Sequence, residues 1–141
     1  MLKQLSIYAE NKKGALQTMT NALYEAGINI WGSVTNDGAE YGINRMVVSD
    51  PDKAKEVLTE RGYLCRFVDV LAVEIEDKPG ALNTLLTALL DSNVNVDYTY
   101  LSFNRDSSTP VMSNLRYCFC AFSPRNEVCK MLMDNFNCSV T

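Results

Sequence analysis

The chain has 141 residues, of which 47% are hydrophobic and 21% charged, and its formal net charge is −4. This composition is typical of a globular domain. The acidic balance argues against a nucleic-acid partner, which requires clustered lysine and arginine. No apolar run is long enough to span a membrane and the N-terminus has no secretory pattern, so we expect a cytoplasmic protein without a membrane partner.

The chain has five cysteines, no histidine and no Cys-x-x-Cys spacing. An odd number of cysteines without paired spacing predicts reduced, buried thiols. A metal site would need further ligands, so we expect neither a metal site nor a cofactor. The cysteines are Cys65, Cys118, Cys120, Cys129 and Cys138.

Apolar periodicity in the first half predicts alternating strands and helices. Apolar and polar residues alternate from Leu2 to Ala9, which is typical of a half-buried strand. Gly14 opens a run with apolar residues at helical spacing, and Gly27 is expected to end that helix in the left-handed conformation. The elements predicted next are a strand over 28–35, a hairpin turn over 36–39, a strand over 40–48, a helix from Pro51 to Gly62 and a strand over 63–68.

The second half repeats this order without a Gly-, Ser- or Pro-rich linker before it. Its first helix is expected to end at Asn93, since asparagine is the next-best residue after glycine for a left-handed end. The predicted elements are a strand over 70–76, a helix over 80–92, a strand over 94–103, a long loop over 104–110, a strand over 115–122, a helix starting at Ser123-Pro124 and a strand over 136–140.

The two halves match at an offset of 66 positions, which indicates an internal duplication. We therefore predict two domains, residues 1–68 and 69–141. Pro51 and Pro124 are 73 positions apart, so the later hairpin region of the second half holds the extra residues. The identical pairs are Leu5/Leu71, Glu10/Glu76, Lys12/Lys78, Gly14/Gly80, Ala15/Ala81, Leu16/Leu82, Thr18/Thr84, Ala22/Ala88, Leu23/Leu89 and Asn29/Asn95.

Each half follows the order strand, helix, strand, strand, helix, strand. This order predicts an α+β fold of two ferredoxin-like βαββαβ units, each an antiparallel four-stranded sheet with two helices on one face. Because this fold hosts many functions, the function must be argued from the residues of a site.

The stretch Glu76 to Leu82 leads from a strand into a helix, and Glu10 to Leu16 is its copy. The first turn of a helix has N–H groups without intrahelical partners, and the positive end of the helix dipole lies there. A strand-to-helix turn with glycine at this point is a candidate carboxylate or phosphate site. The alternative is that the glycine only shapes the turn.

Two signatures recur in both halves: Gly-Ala-Leu at the helix start and an apolar-Asn-apolar strand start after the helix. They are Gly14–Leu16 with Gly27–Ile30, and Asp77–Leu82 with Asn93–Val96. On these motifs the chain resembles the ACT-domain family, small βαββαβ regulatory modules that bind amino acids. The resemblance covers essentially the whole chain as two tandem copies. It implies a stand-alone regulatory protein that acts as an allosteric amino-acid sensor.

In that family the ligand lies between two ACT units, against the loop after the first strand and the start of the second strand. The helix-start N–H groups would take the carboxylate of an amino acid, and Asp77 would pair with its ammonium. Asp77 as a turn cap, and the asparagines as partners of the local backbone, are the alternatives. Copy one departs from the pattern, with Lys13 in place of proline. The resemblance implies these ligand-binding residues: Asn11, Lys12, Gly14, Ala15, Leu16 and Asn29 in copy one, and Asp77, Lys78, Gly80, Ala81, Leu82 and Asn95 in copy two.

The leading hypothesis is a non-catalytic regulatory protein that binds an amino acid at an ACT–ACT interface. The alternative is a ligand-independent regulatory subunit of an amino-acid biosynthetic enzyme. An enzyme is disfavoured because there is no histidine, and no serine or cysteine has a recognisable base spaced with it. RNA binding is disfavoured because Tyr117 and Phe119 lack the expected Gly-aromatic motif. Edge strands invite pairing, so we expect a homodimer.

Overall fold

The computed structural model describes residues 1–36, 38, 40–103, 115–123, 132, 134–136 and 138–139. Among these residues none of the helices is long and apolar enough to cross a membrane. The elements in chain order are β1 (Leu2–Glu10), α1 (Ala15–Glu25), β2 (Ile30–Asn36), β3 (Tyr41–Val48), α2 (Pro51–Glu60), β4 (Leu64–Glu76), α3 (Ala81–Asp91), β5 (Asn95–Phe103), β6 (Leu115–Ser123) and β7 (Cys138–Ser139).

The chain divides into two compact units. The N-terminal unit is Lys3–Val68, and the C-terminal unit is Asp69–Thr141 together with Met1–Leu2. Strand order is β2-β3-β1-β4 in the first, and β5-β6-β4-β7 in the second. The pairings β1–β3, β2–β3, β4–β6, β4–β7 and β5–β6 are all antiparallel. The predicted α+β fold of ferredoxin-like units is therefore confirmed.

In the N-terminal unit, two helices bury one stripe each against the sheet. Residues three and four positions apart share a helix face, which is why Met19, Ala22 and Leu23 are all fully buried on α1. On α2 the buried positions are Ala54 and Leu58. The sheet contributes Leu5 and Ile7 of β1, Met46 and Val48 of β3, and Cys65 of β4 to the same core.

The C-terminal unit repeats this core at the same register. Leu85 and Leu89 of α3 are fully buried, as are their counterparts Met19 and Leu23 on α1. Of the predicted second helix, Leu132, Asp134 and Asn135 are described and are helical. The buried cluster comprises Leu71, Val73, Ile75, Leu85, Leu89, Cys118, Cys120 and Leu132.

Both predicted left-handed helix ends are confirmed. Gly27 has φ 71° and Asn93 has φ 55°. After each, the next backbone N–H reaches back to a carbonyl of the last turn: Ile28 to Leu23 at 2.9 Å, and Val94 to its counterpart at 2.9 Å. These are the hydrogen bonds of a Schellman end, which satisfies carbonyls left without a partner at the helix terminus.

The helix end also explains where the second strand begins. The sequence predicts a strand from Ile28, but β2 starts at Ile30. The Ile28 N–H is used by the helix end, so it cannot donate to the sheet. The predicted strands 63–68 and 70–76 form one strand, β4. Residues 37 and 39 of the predicted hairpin turn, the loop 104–110 and the start of the last helix at Pro124 lie outside the described residues.

Candidate ligand-binding site

The predicted strand-to-helix turn is built twice with one backbone conformation. Gly14 precedes α1 with φ 87° and ψ −9°, and Gly80 precedes α3 with φ 90° and ψ −13°. A side chain at such positive φ strains the backbone, which explains glycine at both positions. An added Cβ would meet nothing within 4 Å at either position. The surface above each turn is therefore open.

The hydrogen bonds of the turn are repeated as well. In the N-terminal unit, the N–H of Lys12 donates to the Glu10 carbonyl at 3.1 Å, and the N–H of Ala15 donates to the Lys12 carbonyl at 3.1 Å. The Gly14 carbonyl accepts from the Thr18 N–H at 2.9 Å and from its Oγ1 at 3.0 Å. All four bonds recur 66 positions later at 2.9–3.2 Å. The duplication therefore extends to the hydrogen bonds of the turn.

The loop lysines pair with the glutamates that end the preceding strands. Lys12 Nζ lies 2.7 Å from Glu10 Oε2, and Lys78 pairs with Glu76. The hydrogen bond from Lys12, and then its charge, hold the pKa of the Glu10 carboxyl below its usual value. The same pair raises the pKa of Lys12, and Tyr63 adds to that rise. Both lysines remain largely exposed, so these are surface ion pairs.

Asn11, which stands where the second copy has Asp77, ties the turn to the β2–β3 connection. Its N–H donates to the Glu40 carbonyl at 2.8 Å, and its Nδ2 donates to the Gly38 carbonyl at 3.1 Å. Asp77 is exposed. The two turns thus share a backbone but present an amide in one unit and a carboxylate in the other.

Within each unit, the second-strand asparagine lies at the far end of the helix from the turn. α1 has 11 residues and spans about 16 Å at 1.5 Å per residue. The backbone of Asn29 makes two hydrogen bonds with Ser49: its N–H donates to the side-chain Oγ at 3.0 Å, and its carbonyl accepts from the Ser49 N–H at 2.9 Å. Asn95 Nδ2 donates to Asp97 Oδ1 at 3.0 Å. A single unit therefore does not bring the turn and this asparagine together.

The apolar residues at the helix starts differ between the units. Leu16 is 47% exposed, and Ala15 beside it is half-buried. The counterparts Ala81 and Leu82 are both half-buried and pack against the core of the C-terminal unit. The N-terminal turn therefore carries more accessible apolar surface for a ligand or a partner.

A cleft of about 760 Å³ adjoins the N-terminal turn. Of the residues predicted from sequence, Lys12, Gly14 and Ala15 line it, whereas Asn11, Leu16 and Asn29 do not. The prediction missed the opposite wall, at the α2–β4 turn. The sequence signal for that wall was the order of elements, since the ferredoxin-like layout places the first and fourth strands side by side. The full lining is Tyr8, Ala9, Glu10, Lys12, Lys13, Gly14, Ala15, Thr18, Tyr41, Arg61, Gly62, Tyr63 and Leu64.

Arg61 of that wall is held by an ion pair with α1. Its Nη2 lies 2.6 Å from Glu25 Oε2. The hydrogen bonds from Arg61 and Asn21 lower the pKa of the Glu25 carboxyl. The Arg61 side chain is 40% exposed and lines the cleft, so the ion pair leaves it partly open to solvent.

Three of the five cysteines lie in the described part of the chain, and all three are free and buried, as predicted: Cys65, Cys118 and Cys120. The Cys118 and Cys120 sulfurs are 3.3 Å apart on one face of β6, and Thr99 Oγ1 contacts both. The hydrogen bond from Cys120 lowers the pKa of the Cys118 thiol despite its burial. Within the described ranges, no group of three or more cysteine and carboxylate side chains is arranged to hold a metal ion.

Comparison with known proteins gives one family and several structural relatives. The family described as an ACT domain pair matches residues 1–109 of this chain. Protein BT0572 from Bacteroides thetaiotaomicron is 29% identical with a TM-score of 0.87, over 98% of this chain and 91% of that one. The ligand-free regulatory subunit of aspartate kinase from Thermus thermophilus has 16% identity and a TM-score of 0.65, over 97% and 95%. That of Thermus flavus has 17% identity and a TM-score of 0.56, over 86% and 84%. No curated protein matches.

Proposed function

Because the chain belongs to the ACT-domain family, we propose that it is a non-catalytic regulatory protein that binds an amino acid where two ACT units meet. The observation that carries the proposal is the turn before α1 and α3, kept twice with the same left-handed glycine and the same hydrogen bonds. The space above each turn is open, as it also is at the other left-handed glycines Gly27 and Gly62, so a ligand has access to it. The accessible face is what a ligand requires.

The free donors at the helix start supply the carboxylate site. Among the described residues, no backbone carbonyl accepts from the N–H of Leu16 or of Leu82. These groups point outward from the positive end of the helix dipole, where a carboxylate is stabilised. The ammonium of the amino acid then needs a carboxylate or carbonyl partner, and Asp77 has the right charge in the C-terminal unit. In the N-terminal unit Asn11 offers only a neutral amide there.

The location of Asn29 and Asn95 supports a site shared between units. Each lies about a helix length from the turn of its own unit, so a ligand that touches both a turn and an asparagine must lie between two units. A homodimer would provide such a pairing through strand edges. Binding there would favour one packing of the units over another, and a partner would respond to that difference.

A second candidate follows from the relatives. Two of the solved structures with this fold are regulatory subunits of aspartate kinase. On that similarity, the partner of this protein would be an enzyme of amino-acid biosynthesis, and the chain would act on it by protein contact even without a ligand. In this second candidate function the fold is the same, but the open turns before α1 and α3 have no ligand-binding role.

A thermal-shift screen against the twenty amino acids tests the proposal. A ligand that binds only the folded state adds about 2.7 kcal/mol at a hundredfold excess over its dissociation constant, and the melting temperature must rise. We expect one or two amino acids to do so. No shift at millimolar concentration with any of the twenty would contradict amino-acid binding and would favour the protein-contact subunit.

Two variants with a bulky side chain at the turn locate the site. Gly14→Leu and Gly80→Leu carry equal backbone strain, about 1–2 kcal/mol for a left-handed residue, and block the open face of one unit each. Ala54→Gly is the control, because it lowers helix stability by a similar amount, about 1 kcal/mol, away from both turns. A ligand shift lost in one glycine variant and kept in the control assigns the site to that unit. A shift kept in all three variants would place the ligand elsewhere.

A further inference from the structure

We propose that the cleft of the N-terminal unit binds a small organic anion with at least two negative charges. This proposal goes beyond the amino-acid proposal, because its defining wall is the α2–β4 turn, which the turn-and-asparagine site does not use. The cleft volume of about 760 Å³ lies within the roughly 300–1,000 Å³ of small-molecule sites. All its lining residues belong to the N-terminal unit.

The charge of the lining selects an anion. Three cations, Lys12, Lys13 and Arg61, face a single carboxylate, Glu10, although the chain as a whole is acidic with a net charge of −4. Lys13 has no ion-pair partner among the described residues. A cleft with an excess of one sign of charge concentrates the opposite ion, and a guanidinium matches the two oxygens of a carboxylate or phosphate.

The ion pairs at Lys12 and Arg61 do not close the cleft to a ligand. Both pairs are exposed, and exposed pairs contribute little because water competes with them. A dianion that meets both cations at once replaces two such pairs with one ligand. A monoanion would replace only one of them, which is why at least two charges are required.

The aromatic lining indicates an organic ligand rather than a bare inorganic ion. Tyr8, Tyr41 and Tyr63 line the cleft, and Tyr41 is 63% exposed. Leu64, the first residue of β4, is 64% exposed. Tyrosine offers an apolar ring and a hydroxyl that donates or accepts, so these side chains can cover a carbon skeleton and still bond to its polar ends.

The duplicated unit supplies an internal comparison for this charge. At the 66-position offset, the C-terminal unit has Glu74 where the N-terminal unit has Tyr8, and Pro79 where it has Lys13. At the 73-position offset of the second helix, Asp134 stands for Arg61 and Phe136 for Tyr63. Proline removes both a cation and a backbone N–H. The C-terminal counterpart is thus acidic, so the duplication has retained a basic cleft in one copy only.

The experiment is isothermal titration calorimetry of the full chain at low ionic strength with four probes. Succinate carries two carboxylates, phenyl phosphate joins a phosphate to a ring, inorganic phosphate lacks the carbon skeleton, and succinamide is a neutral match for succinate. We expect succinate or phenyl phosphate to bind more tightly than inorganic phosphate, and succinamide not to bind. Whichever of succinate and phenyl phosphate binds more tightly shows whether the cleft prefers a carboxylate or a phosphate group. No binding by either at up to roughly 10 mM, tenfold above a millimolar dissociation constant, overturns the proposal.

A matched pair of charge reversals shows whether the cleft is the site. Arg61→Asp copies the residue of the other unit, whereas Arg66→Asp makes the same change on β4 at an exposed position outside the lining. We expect Arg61→Asp to weaken binding by roughly tenfold or more, as expected for a lost charge-assisted hydrogen bond, and Arg66→Asp to leave it within about twofold. Equal weakening by both would mean unspecific attraction to surface charge and would overturn the proposal.

The two proposals fail separately. In the thermal-shift screen, an amino-acid shift that survives Arg61→Asp places amino acid and anion at different sites and supports both. If no amino acid shifts the melting temperature, but an anion binds and Arg61→Asp weakens that binding, only the amino-acid proposal is overturned. Anion binding abolished by Gly80→Leu but not by Arg61→Asp would overturn the cleft assignment.

Discussion

The turns before α1 and α3 have one backbone and two different surfaces. Gly14 and Gly80 differ by 3° in φ, and the four hydrogen bonds around Lys12, Gly14 and Thr18 recur in the second turn. Around them, however, Lys13 is replaced by Pro79 and Arg61 by Asp134. Backbone geometry depends on a few glycines and on core contacts, so it survives duplication. Exposed charged side chains do not take part in core packing. They can therefore diverge between the two copies and give them different ligands.

The largest expected effect tests whether matching buried positions contribute equally to the stability of the two units. Leu23→Ala and Leu89→Ala each remove a fully buried side chain at matching positions, and each should lower the free energy of unfolding by about 2–5 kcal/mol. Urea unfolding followed by circular dichroism measures the change. Leu90→Ala, at a 74% exposed position of the same helix, should cost less than about 0.5 kcal/mol. A Leu89→Ala loss as small as that of Leu90→Ala would refute the common register.

A smaller effect tests the common backbone. Gly14→Ala and Gly80→Ala should each cost about 1–2 kcal/mol, because an L-residue at positive φ is strained even where its Cβ meets no atom. The two losses in urea unfolding should agree within error. Losses that differ by more than about 1 kcal/mol would mean that the two turns are not energetically equivalent.

Exchange of the helix ends refines the same comparison. Asn93→Gly should raise the free energy of unfolding by a few tenths of a kcal/mol, and Gly27→Asn should lower it by a similar amount, since asparagine tolerates a left-handed position less well than glycine does. Thermal melts of both variants provide the measurement. A change of the same sign in both would show that side-chain contacts, rather than φ, dominate these positions.

The smallest effect concerns an ion pair that only the N-terminal unit has the residues to make. Arg61 lowers the pKa of Glu25, so the pair stabilises the fold above the unfolded pKa of about 4.3, and this contribution is lost as the pH falls through the lower folded value. Glu25→Gln should therefore flatten the acid side of a plot of melting temperature against pH. Arg61→Gln should do the same, and the double variant should add nothing. Additive losses would mean that the two residues act independently.

Much of the fold was predictable because its determinants are local. The stripe of Met19 and Leu23 and the left-handed residues Gly27 and Asn93 each leave a pattern within one turn. Alternation predicts the strand β1 correctly, but the prediction that this strand is half-buried is wrong, because two of its polar residues are buried as well. The start of β2 was wrong by two residues because the Ile28 N–H has two competing uses, and the helix end takes it. Sequence pattern alone does not rank such alternatives.

The candidate site was predictable only in part. The Gly-Ala-Leu turns carry a recurring motif, so the motif alone identifies their residues. The residues that complete the cleft, Arg61 and Tyr63, are about 50 positions from Gly14 and match no motif. Their relevance depends on β1 and β4 being neighbours in the sheet.

By itself, the sequence determined the duplication, the order of strands and helices, and the glycines at the turns, since periodicity and left-handed positions are properties of neighbouring residues. Only the tertiary structure decided which charges meet. Arg61 lies beside Glu25, and both it and Lys13 line one cleft, because the sheet brings distant ends of the chain together. Electrostatic interactions depend on distance in space, and separation along the chain does not fix that distance.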